Sequence, residues 1–226
     1  MKKKYEYKNV LLLSSLLFLL AMMITIVAWA KIPDDALVPT HWNAQGEVDN
    51  YGTKTFGLLM GPVMIFGLTI LFTFIPHMEP RFENLQQSQK AYKAFWGMTL
   101  VFMLVLHIVT TLAAVGHSID MGSSMGFLMG ALFMAIGNYM GKIRSNFMFG
   151  IRTPWTLSSE VSWNKTHRLG GRLFFVTGLL VFISGIFQQG ALTFSLLLGG
   201  IFLSVIFLYG YSYRVWKSDD DRKSLS

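Results

Sequence analysis

Apolar residues in this chain gather into six long runs separated by polar connections. The runs are about Asn9 to Ala30, Phe56 to Pro76, Ala94 to Val115, Ser124 to Met140, Leu173 to Phe187 and Ala191 to Tyr211. None of them contains Asp, Glu, Lys or Arg. A helix crosses the hydrocarbon core in about 20 residues, and most of the runs match that length; the fourth and fifth are shorter. In lipid each backbone N–H and C=O needs an internal partner, so the runs are expected to be helices. The pattern predicts an all-α, polytopic membrane bundle of six transmembrane helices. It forms one membrane domain over residues 1–226, with an external loop at 31–55, a cytoplasmic loop at 141–172 and a polar tail at 217–226 that is expected to fray.

Orientation follows from the basic residues. All but two of the 19 lysines and arginines lie at the N-terminus, in the second and fourth connections and in the tail. Those four segments alternate onto one side, whereas the other side has only Lys31 and Lys54. The positive-inside rule then puts both termini in the cytoplasm. The first run ends in Ala28-Trp29-Ala30, a small-residue pattern like a signal-peptidase site. Its apolar stretch of about 19 residues is longer than a usual signal core, so it reads as a first span.

Composition agrees with this picture and narrows the chemistry. Hydrophobic residues make up 53% and charged residues 14% of the chain, against roughly a quarter charged in soluble domains; mean hydropathy is +0.47. There is no cysteine, which excludes disulfides, thiolate metal sites and a cysteine nucleophile. The net charge of +7 is spread over short cytoplasmic segments, which suits anionic membrane lipids. It does not build a nucleic-acid face, so no direct nucleic-acid binding is expected.

Five glycines in the fourth run, Gly122, Gly126, Gly130, Gly137 and Gly141, share one helical face. Small residues there let another helix come close. This reads as packing within the bundle, or as the face of a homodimer. Gly57 and Gly61 form a similar pair in the second run.

The external loop reads KIPDDALVPTHWNAQGEVDNYGTKT and is net acidic. Pro33 and Pro39 stiffen it, while Gly46 and Gly52 permit turns. It is expected to be an ordered cap or a binding surface whose acids and aromatics suit a cationic or amphipathic peptide. Pro39, His41, Trp42, Asn43, Gly46 and Asp49 are the candidate ligand-binding residues. His41 and Asp49 alone lack the spacing of a metal site, and no metal or cofactor is expected.

The cytoplasmic loop interleaves aromatic residues with arginines, as the inner headgroup layer favours. Thr153-Pro154 should bend it. Ser158 or Thr156 is expected to cap a helix through Glu160, Trp163 and His167, either lying along the membrane or running into the fifth span. The loop is either a topology-setting interfacial segment or a site where Asn146, Arg152, Trp155, Trp163 and His167 converge. His107 lies inside the third span; it is a functional candidate or a neutral histidine bonded to a neighbouring helix. Asn138 and Tyr139 are similar in kind. No complete catalytic set is present, so no catalytic residue is assigned.

The stretch Pro39-Thr40-His41-Trp42-Asn43-Ala44-Gln45-Gly46-Glu47-Val48-Asp49 resembles the N-terminal signature of the SdpI family of membrane proteins. Residues Asn146 to Gly150, then Ile151-Arg152-Thr153-Pro154-Trp155-Thr156-Leu157, resemble its second signature, which Trp163, Thr166, His167 and Gly170 continue. Ser145 departs from the family at a position where a proline is expected before the asparagine. The resemblance implies a multi-pass protein of the bacterial cytoplasmic membrane that protects its cell from a secreted peptide toxin. It also implies signalling, in which the occupied membrane protein holds a cytosolic transcriptional repressor. From the residues alone a rival class stays open: a small membrane enzyme or transporter with a site near His107, Arg152 and His167. A cavity lined by His107, Asn138 and Tyr139 would favour that rival, and a closed bundle under an ordered cap would favour immunity.

Overall fold

The computed structural model describes residues 6–221. Six helices long and apolar enough to span a membrane carry the fold. In chain order they are α1 (Lys8–Trp29), α2 (Lys54–Met78), α4 (Gln89–Ala114), α5 (Met121–Met140), α7 (Glu160–Ser184, continued by a 3-10 turn to Phe187) and α8 (Gly190–Lys217). Short helices α3 (Phe82–Gln87) and α6 (Pro154–Ser158) lie in the two cytoplasmic connections. An even number of spans returns the described chain to the side on which it starts. The basic N-terminal residues Lys2, Lys3 and Lys4 lie outside the described residues.

Two groups of three helices, α1–α2–α4 and α5–α7–α8, meet where α4 packs on α5. They use different packing chemistry. The first group buries large side chains: Leu17, Ile65, Phe72, Tyr92, Trp96 and Leu100 belong to one apolar cluster. The second group closes through glycine. An added Cβ would lie 2.9 Å from Gly190 at Gly122, 2.7 Å from Gly185 at Gly126, 2.5 Å from the Phe182 nitrogen at Gly130 and 2.5 Å from the Gly171 oxygen at Gly137. Gly171 and Gly178 return the contact from α7. Gly141 differs, since a Cβ there meets Arg168 at an ordinary 3.5 Å. In α2, Gly61 admits the His107 side chain of α4, as helix packing requires, whereas Gly57 faces Val38 of the external loop.

Two prolines inside α2 show how the spans satisfy their backbone. Proline has no N–H and leaves the carbonyl four residues earlier unpaired. Pro62 frees the Leu58 carbonyl, which accepts from Thr25 Oγ1 of α1 at 3.0 Å. Pro76 frees the Phe72 carbonyl, which accepts from the Tyr92 hydroxyl of α4 at 2.5 Å.

The connections depart from expectation. The external loop carries an antiparallel hairpin, β1 (Leu37–Trp42) and β2 (Val48–Thr53), so the bundle is not wholly helical. The fifth span begins at Glu160, thirteen residues before its apolar run, because one helical face there buries Ser162, Trp163, Thr166, His167, Gly170 and Gly171. Lys165, Arg168 and Arg172 occupy the exposed face. The cytoplasmic helix thus runs directly into the span. Its cap is Ser159, which accepts from the Ser162 nitrogen, and not Ser158 or Thr156; Thr156 instead completes the capping box of α6 with Thr153. The start of the tail is held and does not fray: Asp219 is buried and accepts from Ser159 Oγ at 2.5 Å. Residues 222–226 of the tail lie outside the described residues.

Candidate functional site

On the outer side, Asn43 builds the hairpin tip. Its Oδ1 accepts from the Gln45 and Glu47 nitrogens, each at 3.0 Å, and its Nδ2 donates to Glu47 Oε2 at 3.1 Å. Gly46 turns the chain with φ +87°, where a side chain would be strained. The tip is seated on the outer ends of α5 and α8. A Cβ on Gly46 would meet the Gly122 nitrogen at 2.9 Å, and one on Gly190 would meet Gln45 at 2.7 Å. The base is fastened separately. Lys54 is buried, and its Nζ donates to the Ile32 carbonyl at 2.6 Å and to Asp34 at 2.8 Å, over the Trp29 ring. That bond and charge hold the Asp34 carboxyl below its ordinary pKa. The hairpin is therefore a roof fixed at both ends, reaching from the first helix group to the second.

Beneath the roof lies a groove of about 470 Å³. Its walls are α2 and α5, which stand apart, and α4 forms the back. Met60, Met64, Met103, Met121 and Met125 line it, with Pro39, His41 and Trp42 above and His107 at the bottom. Of the six external candidates, Pro39, His41 and Trp42 thus face the groove, and Asn43 and Gly46 shape the tip. Asp49 holds His41, with Oδ1 at 2.6 Å from Nδ1. Groups of three or more His, Asp or Glu able to hold a metal are absent among the described residues.

His107 stands about seven residues, or roughly 10 Å, below the outer end of α4. Thr25 Oγ1 gives its proton to Leu58, so His107 Nε2, 3.1 Å away, donates to it. Nδ1 faces Thr111 Oγ1 at 3.4 Å. The ring thus ties α4 to α1 directly and to α2 through Thr25. Asn138 and Tyr139 do not reach this groove; Tyr139 packs near the cytoplasmic end, under Lys142.

On the inner side, the second signature closes into a dense knot. Asn146 is fully buried; its Oδ1 accepts from the Met148 and Phe149 nitrogens at 2.9 and 2.8 Å, and its Nδ2 donates to the Arg144 carbonyl at 2.9 Å. Gly150 has φ +107°, and a Cβ there would lie 2.5 Å from His167 Nε2. That Nε2 accepts from the Ile151 nitrogen at 2.9 Å, so Nδ1 carries the proton and donates to the Trp163 carbonyl at 2.8 Å. Trp163 stacks on His167 with centroids 4.0 Å apart and donates to the Ile143 carbonyl at 2.7 Å. Thr153 donates to Ser212 at 3.0 Å, Pro154 opens α6, and Trp155 packs on Tyr209 and Tyr213 of α8. Arg152 is exposed and donates to the Phe147 carbonyl at 2.6 Å.

Sequence reasoning missed the opposing half of this knot, in the second connection. Glu79 is buried: Oε1 accepts from the Arg81 nitrogen at 2.8 Å, and Oε2 accepts from the Phe147 and Met148 nitrogens at 2.9 and 3.0 Å. Arg81 donates to Ser145 Oγ and to the Leu157 carbonyl, and lies over the Phe147 ring. Asn84 donates to the Ser145 carbonyl at 2.8 Å. Ser145, where the family resemblance expects proline, is thus held in its bend by Arg81 and Asn84. One signal was available. An acid at a helix C-terminus opposes the helix dipole, so Glu79 after Met78 called for another partner.

Both signature stretches fall within ranges that match known protein families. Residues 142–212 match the model of the SdpI/YfhL protein family, and residues 16–66 match a domain of unknown function, DUF1648. The protein "Immunity protein SdpI" of Bacillus subtilis (strain 168) is 21% identical over 212 residues, covering 93% of this chain and 96% of that protein. No solved structure matches. The knot thus lies inside the SdpI/YfhL match and the roofing hairpin inside the DUF1648 match, and the similarity to the Bacillus protein runs along nearly the whole length of this chain.

Proposed function

We propose that this multi-pass membrane protein is an immunity protein of the bacterial cytoplasmic membrane, protecting its cell from a secreted, membrane-active peptide toxin. The observation that carries the reading is the near full-length likeness to the Bacillus immunity protein. The geometry supports it: the external signature is an ordered cap over an apolar groove, an arrangement suited to binding. The ring nitrogens of His107 and His167 all face partners within the bundle, which speaks against the enzyme or transporter alternative. The test uses the gene's own host. A deletion strain is exposed to spent medium of its parent while carrying wild type, Trp42→Ala or an empty vector. Wild type is expected to restore survival and Trp42→Ala to restore less; survival with wild type no better than with the vector overturns immunity.

The finer reading is that the cytoplasmic face also signals by holding a cytosolic repressor. A cavity of about 410 Å³ lined by Arg81, Asn84, Glu160 and Asp219 offers such a partner both charges, and Arg152 is exposed on the same cytoplasmic face. Loss of a membrane-bound DNA-binding protein in Arg152→Glu, with immunity retained, is the expected result.

A further inference from the structure

The groove beneath the hairpin has properties that a mere packing defect would lack. It opens through the side of the bundle, where the lining residues Phe56, Met60 and Met64 of α2 are exposed. Its volume falls in the range of about 300–1,000 Å³ typical of ligand sites. Methionine dominates the walls, and its flexible, polarizable side chain adapts to apolar partners of varied shape. The polar atoms lie at the two ends, His41 at the mouth and Thr110 with His107 at the bottom. The roof cannot slump into the groove, because glycine seats hold its tip and Lys54 holds its base.

We propose that this groove receives the apolar side chains of a cationic peptide lying in the outer half of the membrane. The proposal rests on the immunity reading and gives that reading its binding site. In lipid there is little hydrophobic gain in moving an apolar side chain from acyl tails into a groove, so fit and charge must select the occupant. Charge selects a cation. The external loop carries Asp34, Asp35, Glu47 and Asp49 against Lys31 and Lys54, and Asp120 adds a further acid where α5 starts. Lys54 pairs with Asp34, so the two cancel and Asp35, Glu47, Asp49 and Asp120 remain against Lys31. The outer face around the groove is therefore net acidic, with Asp49 bonded to the lining residue His41; it disfavours the anionic headgroup of a lipid whose tail would enter the groove and attracts lysine-bearing peptide. Trp42 and Tyr51 sit on the same hairpin, at the depth where aromatic side chains favour the interface.

The test uses the full chain in vesicles of phosphatidylethanolamine and phosphatidylglycerol, with a photoreactive benzophenone residue at position 125 in the groove or at position 63 on the exposed face of α2. The probe is a synthetic leucine-rich helix flanked by lysines. The expected result is peptide adduct at 125 with none above background at 63, and loss of that adduct when Met103→Trp fills the groove from α4. Equal adducts at both positions, or lipid adducts at 125 that peptide does not displace, overturn the proposal; the second result assigns the groove to an acyl chain. Met60→Trp, on the opposite wall, serves as the filler should Met103→Trp not reach the membrane. The spent-medium assay separates this proposal from the immunity reading. If wild type protects but no peptide adduct forms, the groove proposal fails and immunity stands. If adduct forms but wild type does not protect, immunity fails and the groove remains a peptide site.

Discussion

Replacing Asn146 with alanine tests whether the second signature is a structural knot. The side chain makes three hydrogen bonds from a fully buried position. Its loss does not orphan all three partners, because the Met148 nitrogen keeps Glu79 Oε2 at 3.0 Å. The Phe149 N–H and the Arg144 C=O lose the partner Asn146 gives them. A buried polar group left unpaired costs about 1–3 kcal/mol, so the two orphaned here should destabilise Asn146→Ala by about 2–6 kcal/mol. By the scaling of about 2–4 °C per kcal/mol for chains of this size, that lowers the midpoint by roughly 4–24 °C. Asn146→Asp is the sharper variant. It keeps both acceptor roles, loses the donor to Arg144 and sets a second carboxylate beside Glu79, since both would accept from the Met148 N–H. Like charges disfavour ionisation, so the pKa of the new pair rises above the ordinary carboxylate range and stability should recover as pH falls through it. The assay is thermal loss of the monodisperse peak in detergent at neutral and mildly acidic pH. An Asn146→Ala midpoint equal to wild type, or an Asn146→Asp variant as stable as wild type at neutral pH, refutes the argument.

Further outcomes follow from the same contacts. Gly130→Ala and Gly137→Ala drive a methyl group into the α7 backbone and should cost about 1–3 kcal/mol, whereas Gly67→Ala, with open space around it, should be neutral or stabilising by up to about 1 kcal/mol; similar melting of all three would remove the close-packing account. Thr25→Val strands the carbonyl freed by Pro62 and should cost about 1 kcal/mol; in a Pro62→Ala background the restored N–H takes that carbonyl, so the same change should cost less, and additive effects in this cycle would count against the pairing. The Asp34–Lys54 clamp has a fixed sign with pH. Asp34 has a lowered pKa, so its contribution is present above the ordinary carboxylate range and lost as pH falls through the lowered value; protease nicking at residues 43–47 should rise at acid pH in wild type and lose that acid step in Lys54→Met. Because the chain has no cysteine, single cysteines at 45 and 152 report topology directly; an impermeant maleimide should label the first and not the second in intact cells, and equal labelling would reverse the orientation argument.

The six spans were legible because the bilayer imposes its demand on every residue of a crossing segment, and Lys and Arg placement records the side. The glycine face of α5 was legible for a related reason: without a hydrophobic drive between helices, close approach needs small residues at helical spacing. The fifth span was read too short since Ser162, Thr166, His167 and Gly170 face inward without being apolar. A hydropathy scale records composition and not direction, so a helix whose buried face is polar and whose exposed face is basic looks like a loop.

The hairpin was illegible for a different reason. A strand is recognised by alternation, yet β1 buries only Val38 and β2 buries no residue. Pro39 interrupts the first strand, and the register is irregular between Pro39, His41 and Trp42. The hairpin stands because Asn43 folds the tip, Lys54 fastens the base and Gly122 and Gly190 admit the backbone. These are single contacts, three of them to residues distant in the chain, and they leave no periodic trace. His41, Trp42 and Asp49, singled out by their chemistry, share one surface. What chemistry could not supply was the space that surface encloses, which depends on α2 and α5 standing apart. A protein of this kind writes its topology into long segments and its binding geometry into the few contacts that hold a roof above a gap. The two can therefore be broken separately: Lys54→Met or Gly122→Ala should open the roof while leaving all six spans in the membrane.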